Sequence, residues 1–196
     1  MVTSLLPTTM TPEAYLAWEL EQDTKHEYEH GEIIDMTGGK LYHNKVAINL
    51  IILISSHLRN QACWVLGSDA KVMTQGGVFY YPDVVVSCDD RDSTAREFLQ
   101  YPSLIAEVLS PSTEKRDRGQ KFRNYRQMET LQEYLIIDCD RPSLEIYRRN
   151  QNNNWELIHI FSDQPDCAET NPEIYLSSLD LKFFLADLYE NIEFLP

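Results

Sequence analysis

The sequence predicts an α/β fold, a mixed β-sheet flanked by helices. Three observations carry this. Short apolar runs of strand length recur at 79–88, 104–109 and 133–138, set apart by polar loops or helix-like segments. The order along the chain is helix, hairpin, helix, several strands, helix, strand, hairpin. With 43% hydrophobic and 24% charged residues, the composition is that of a soluble globular protein, and 196 residues suffice for one domain, 1–196, with a substantial core.

Each element has a local cause. Thr11-Pro12-Glu13 reads as a helix start, with a capping hydroxyl, proline in the first turn and an acid near the positive end of the dipole. Residues 25–37 read as a hairpin turning at His30-Gly31. Residues 43–60 read as a long helix so dense in apolar side chains that it is expected to be packed on most sides. Short strands are expected at 64–66 and 71–73, and a turn at 75–77. A continuous strand is expected at 79–88, a short helix at 93–100 and a strand at 104–109. Ser110-Pro111-Ser112-Thr113 ends that strand, and a helix runs on to about 129. A strand at 133–138, a hairpin of 144–148 with 155–161, a small strand near 174–175 and a final helix at 181–189 complete the chain.

The net charge of −14 opposes non-specific attraction to nucleic acid, yet its distribution is uneven. Between residues 111 and 129 stand Lys115, Arg116, Arg118, Lys121, Arg123 and Arg126, over a third of all the cationic side chains. The plain alternative is a solvated helix face. Residues 1–10 lack a basic start and a long apolar run, and 46–54 falls short of the ~20 residues of a membrane span, so a cytoplasmic protein with no membrane partner is expected. Cys63, Cys88, Cys139 and Cys167 form no C-x-x-C pair and are expected to be reduced, buried thiols.

The chemistry concentrates between residues 81 and 125. Asp83 and Glu107 are carboxylates inside apolar strand-like runs, where a charge is costly unless something pairs with it. Pro82-Asp83, followed by Glu107 in Ile-Ala-Glu-Val-Leu-Ser, resembles the PD-(D/E)XK nuclease superfamily. More narrowly, Glu-Val-Leu-Ser-Pro-Ser-Thr (107–113), then Asp117, Lys121, Tyr125 and Glu-Tyr-Leu-Ile-Ile-Asp (133–138), is similar to a bacterial family of restriction-endonuclease-like proteins. The resemblance spans roughly residues 28–138. It implies a restriction-endonuclease-like fold and a divalent metal, Mg²⁺ or Mn²⁺, held by Asp83, Glu107 and the carbonyl of Val108. It also implies a secondary site of Glu29 (or Glu32) and His43. Phosphodiester hydrolysis needs a cation of this kind, and Mg²⁺ prefers oxygen ligands.

One position departs from the superfamily pattern: Leu109 stands where its lysine belongs, two residues after Glu107. Lys121 is the replacement expected, with Lys115 behind it. Asp117, Lys121 and Tyr125 are spaced i, i+4, i+8 and share a helix face, which would bring Lys121 to the sheet's margin near Glu107. The plain alternative is a surface Asp117–Lys121 pair worth ~0.3–0.5 kcal/mol. Asp69 and Lys71, which precede the Pro82-Asp83 strand, are further candidates for lining the substrate groove. Lys115, Arg116 and Arg118 are expected to meet phosphates.

His26-Glu27-Tyr28-Glu29-His30 spells H-E-x-x-H, which on a helix would hold zinc with Glu27 as general base. Gly31 and the strand-like Glu-Ile-Ile-Asp-Met place these histidines on a hairpin instead. The function expected is a metal-dependent endonuclease cleaving DNA, with a homodimer as one way for a small acidic enzyme to grip a duplex. The alternative is a binding or assembly module on the same scaffold, its acids structural. The sequence leaves base specificity and the form of the nucleic acid open.

Overall fold

The computed structural model describes residues 10–36, 38–162 and 171–194. Helix α1 (Pro12–Glu19) starts where Thr11 Oγ1 accepts the Ala14 N–H at 3.2 Å. Strands β1 (His26–Glu29) and β2 (Glu32–Asp35) form the expected hairpin. Its turn uses His30 (φ 48°) and Gly31 (φ 102°), the left-handed pair that a two-residue connection requires.

Helix α2 (Leu41–His57) buries Val46, Ala47, Leu50 and Ile54 but leaves Leu41, Ile48 and Ile52 exposed. It lies on one sheet face, so only one stripe is covered, and the expectation of packing on most sides is corrected.

Next come β3 (Trp64–Gly67), β4 (Val72–Met73), β5 (Phe79–Tyr80), β6 (Val84–Ser87) and β7 (Leu104–Leu109). The run at 79–88 is two strands in two sheets. Pro82 cannot donate to a ladder, and the chain crosses between the sheets at 81–83, leaving Asp83 at the mouth of β6. The helix expected at 93–100 is absent. A short 3₁₀ turn at Asp90–Asp92 stands before it, because buried Asp92 accepts from Ser87 Oγ (2.6 Å) and from the N–H groups of Gln100 and Tyr101 (both 3.0 Å).

The segment after β7 is helical from 114 to 125, shorter than expected, and not uniformly α. It comprises α3 (Glu114–Arg116), a wide π turn (Asp117–Lys121) and α4 (Phe122–Tyr125). Strands β8 (Glu133–Asp138), β9 (Ser143–Arg149) and β10 (Trp155–Phe161) follow, then β11 (Glu173–Leu176). The final helix expected at 181–189 is instead β12 (Leu181–Phe184), paired with β11, and the short α5 (Leu185–Leu188).

The strands make a mixed six-stranded sheet, β10-β9-β8-β7-β6-β3, in which only β7 and β8 are parallel, a four-stranded sheet β2-β1-β5-β4, and the β11-β12 pair. Alternation along β7 sorts its side chains. Leu104, Ala106 and Val108 join the core under α2, whereas Ile105 and Leu109 join the core under the 114–125 helix. Phe122 stacks on Tyr134 at 5.5 Å and fixes that helix to the sheet. Cys63 and Cys88, at the adjoining ends of β3 and β6, are disulfide-bonded. This corrects the expectation of reduced thiols; only Cys139 is a free buried thiol among the described residues, and Cys167 lies outside them.

Candidate active site

Antiparallel register pairs Val84 with Ala106 and Val85 with Ile105, so one further step sets Asp83 opposite Glu107. Directly opposed residues project from the same sheet face. Glu107 projects to the face covered by the 114–125 helix, and Asp83 stands beside it, one residue before the paired stretch of β6. Asp83 Oδ2 accepts the Val108 N–H at 2.8 Å, which fixes the carboxylate against β7.

From the helix, Asp117, Lys121 and Tyr125 all turn inward, as their spacing predicts. The Lys121 ammonium lies 3.0 Å from Glu107 Oε1, 2.9 Å from Glu27 Oε1 and 3.4 Å from Asp117 Oδ1. It is only 5% exposed and Glu107 3%, so this is an interior cluster and neither a surface pair nor a sheet margin. The π turn packs more residues into one helical revolution and carries both Asp117 and Lys121 to the buried side. Tyr125 Oη donates to Glu107 Oε1 at 3.2 Å.

From the opposite face, His43 near the start of α2 brings Nε2 to 3.3 Å from Asp83 Oδ2. The same ring bonds the backbone of Val108. Gly39 allows this position: a Cβ there would stand 2.9 Å from His43 Nδ1.

Glu27 is the member that sequence reasoning misplaced. The sequence points to Glu29 instead, which sits one layer out, accepting from Tyr80 Oη at 2.5 Å and Arg116 Nη2 at 2.7 Å. Glu27, 2% exposed, touches Lys121 directly, accepts the Tyr81 N–H at 3.3 Å and pairs with Arg116. Strand alternation puts 27 and 29 on one face, so the signal was present. Glu32 is exposed. The histidines of the H-E-x-x-H match stand on a strand and its turn, His26 Nδ1 lying 3.0 Å from Glu19 Oε2.

The basic segment is placed differently from expectation. Arg116 is spent on Glu27 and Glu29, and Arg118 on Glu114 and Glu145, because both guanidinium groups find carboxylates before they reach solvent. Lys115 is exposed. Asp69 lines the cleft and pairs with Lys25 at 2.7 Å, while Lys71 is buried with its ammonium 5.1 Å from the Tyr15 ring centre.

Burial drives the electrostatics. It raises the Glu107 carboxyl well above its ordinary range; Lys121 opposes this, while Asp117, Asp83 and Glu27 add to it. Burial also raises Asp117. For Lys121 burial pulls downward, but Glu107, Glu27 and Asp117 outweigh it and hold the amine protonated. For His43 burial is outweighed by Asp83, which raises the imidazole.

The cluster therefore carries more acids than cations. Apart from its 3.4 Å ion pair with Lys121, Asp117 Oδ1 is buried without a hydrogen-bond partner. Among the described residues no three His, Cys, Asp or Glu side chains form a ready-made cage for a metal ion. Two carboxylates and a nearby carbonyl, all hard oxygen donors in an acid-rich site, fit Mg²⁺, which takes one or two carboxylates and keeps waters.

Fold and site together define a restriction-endonuclease-like protein. Over residues 12–179 the chain matches the Uma2 family, described as "Putative restriction endonuclease", and it belongs to that family. It is 36% identical over 186 residues to "Uncharacterized protein slr1290" of Synechocystis sp. (strain ATCC 27184 / PCC 6803 / Kazusa), covering 94% of each chain. It is 32% identical over 160 residues to "Uncharacterized protein sll1609" of the same organism, covering 80% of this chain and 90% of that one. A crystal structure from Anabaena variabilis ATCC 29413, described as "a putative nuclease belonging to DUF820", shares the fold. Its TM-score is 0.71 at 20% identity, over 92% of this chain and 98% of that one. Among the described residues no helix is long and apolar enough to cross a membrane.

Proposed function

We propose that this chain is a Mg²⁺- or Mn²⁺-dependent endonuclease that hydrolyses DNA phosphodiester bonds. One observation supports the reading: Asp83, bonded to the Val108 N–H beside Glu107, and Glu107 itself line one cleft, with the Lys121 ammonium 3.0 Å from Glu107. Asp83, Glu107 and the Val108 carbonyl would hold the ion. When bound it would polarise a phosphoryl oxygen, lower the pKa of water and steady the leaving oxygen.

The chain's own residues supply the rest. Lys121 stays an ammonium, so it acts as a donor that orients water and stabilises charge building on phosphorus, not as a base. Tyr125, whose hydroxyl burial raises, stays protonated and fixes the Glu107 carboxylate through Oη. His43 holds Asp83 from the other side of the sheet. Glu27 and Asp117 fix the amine.

The test is substitution. Asp83→Asn and Glu107→Gln are expected to abolish cleavage and calorimetric Mg²⁺ binding while circular dichroism is unchanged. Lys121→Met should lose cleavage by about 10²-fold or more yet keep metal binding. Metal-dependent cleavage that persists in both acid variants would overturn the reading. Leu109, at the strand position of the superfamily lysine, favours a second reading, a scaffold without turnover; wild-type protein that binds neither Mg²⁺ nor Mn²⁺ would select it. Cytoplasmic residence and homodimer formation belong to the same proposal, read by fractionation and light scattering.

A further inference from the structure

The cleft over the acid pair has a volume of about 1060 Å³ and two unlike sides. Its floor is Asp83, Glu107, Asp117 and Lys121. One stretch of its wall is apolar, formed by Met36, Ala47, Ile48, Ile51 and Leu66, with Ile48 44% exposed on the helix face that α2 leaves uncovered; Asp23, Lys25, Asn44 and Asp69 are among the polar residues lining the rest. Three lysines line this cleft, and each already has an ion pair: Lys25 with Asp69 (2.7 Å), Lys40 with Asp140 (3.5 Å) and Lys121 with the acids of the floor.

A regular duplex offers phosphates outward and keeps its base faces stacked inside. Proteins that grip it draw most of their affinity from free Lys and Arg that displace counterions. This cleft offers no unpaired lysine or arginine among the described residues, and it offers apolar surface that a duplex would leave wet. An unpaired strand makes the complementary demand. It too carries phosphates, but unlike a duplex it exposes its base faces, which gain by leaving water against nonpolar side chains.

We infer that the site takes single-stranded nucleic acid, with the bases flanking the scissile phosphate laid on the Ile48–Ile51–Leu66 wall. The inference rests on the nuclease reading for the floor, but it concerns the wall, which can be probed by binding alone.

The experiment uses the full chain with Ca²⁺ in place of Mg²⁺, and a fluorescein-labelled oligonucleotide of mixed sequence, single-stranded or annealed to its complement. Anisotropy is expected to show the single strand bound at least tenfold more tightly. The slope of log affinity against log salt should be no steeper than about −2, as few phosphates are neutralised. Ile48→Ser should weaken single-strand binding at least fivefold, whereas Ile52→Ser, exposed on the same helix outside the cleft, should leave it unchanged. Duplex bound as tightly as the single strand, a steeper salt slope, or equal effects of the two substitutions would overturn the inference, even if Mg²⁺-dependent cleavage is found. Single-strand binding that depends on Ile48, without cleavage under any metal, would sustain it and remove the nuclease reading instead.

Discussion

Replacing Lys121 by methionine removes the cation from the centre of the buried cluster while keeping most of the side chain's volume. Three carboxylates, on Glu27, Glu107 and Asp117, then face one another with no ammonium among them. Breaking a buried ion pair from one side costs about 3–5 kcal/mol, since the partner charge stays behind in a poor solvent. For a domain of this size each kcal/mol lowers the melting midpoint by about 2–4 °C, so a drop of roughly 6–20 °C is expected.

The pH dependence gives the sharper test. Glu107 and Asp117 already sit above their ordinary values in the folded protein, and losing the ammonium raises them further. An acid raised on folding contributes stability that is full below its unfolded pKa and is lost as pH climbs towards the folded value. The deficit of Lys121→Met should therefore be largest at about pH 8 and shrink towards about pH 5, as the stranded acids take up protons. Adding Glu107→Gln should recover at least about 1 kcal/mol, the coupling expected of neighbours in one network. Thermal and urea melts of the two variants at both pH values decide this. A single variant that melts within about 1 °C of the parent at both would refute the buried-cluster reasoning.

Further outcomes follow from the same contacts. In the parent protein Mg²⁺ should raise the melting midpoint more at about pH 8 than at about pH 5, because the ion competes with the proton held on raised Glu107; an equal rise at both would count against Glu107 as a ligand. Arg116→Met removes the guanidinium shared by Glu27 and Glu29, leaving Glu27 to Lys121 and Glu29 to Tyr80 Oη, and should cost about 2–3 kcal/mol in urea melts. Arg116→Met should also leave the salt slope of nucleic-acid binding unchanged, whereas a slope reduced by about one would make Arg116 a phosphate contact after all. Cys63→Ser should lower stability by about 3 kcal/mol in oxidising buffer and have no effect under reductant, since the bond closes a loop of sequence separation 25.

What the sequence disclosed follows the range of the forces involved. Strands β7 and β8 were legible because a strand buried on both faces leaves an unbroken apolar run, and Glu107 was conspicuous for being charged inside one. The helix spacing of Asp117, Lys121 and Tyr125 was likewise local. The division of 79–88 between two sheets was hidden, because which sheet claims Phe79 and which claims Val84 is a tertiary matter. The spending of Arg116 was hidden too: its partners Glu27 and Glu29 lie 89 and 87 residues away in sequence. Glu29 was favoured over Glu27 because Tyr-Glu-His-Gly (28–31) is the closer match to the family resemblance, and which acid of one strand face meets Lys121 is again a tertiary matter.

The departure at Leu109 and the depth of Lys121 are two aspects of one arrangement. Leu109 shares the sheet face of Glu107 and is buried with Tyr125, Met128 and Tyr134, so an ammonium there would have to enter an apolar layer. The parallel pairing of β7 with β8 requires the chain to cross over the sheet between them, and the helix that makes the crossing covers this face. An amine delivered from that helix reaches Glu107 from above and leaves the strand free to pack. The π turn completes the arrangement by turning Asp117 inward beside Lys121, so the lysine arrives with an acid of its own and is held by three carboxylates instead of one. Such an amine is positioned before any ligand arrives, which is what a donor aimed at a developing charge requires.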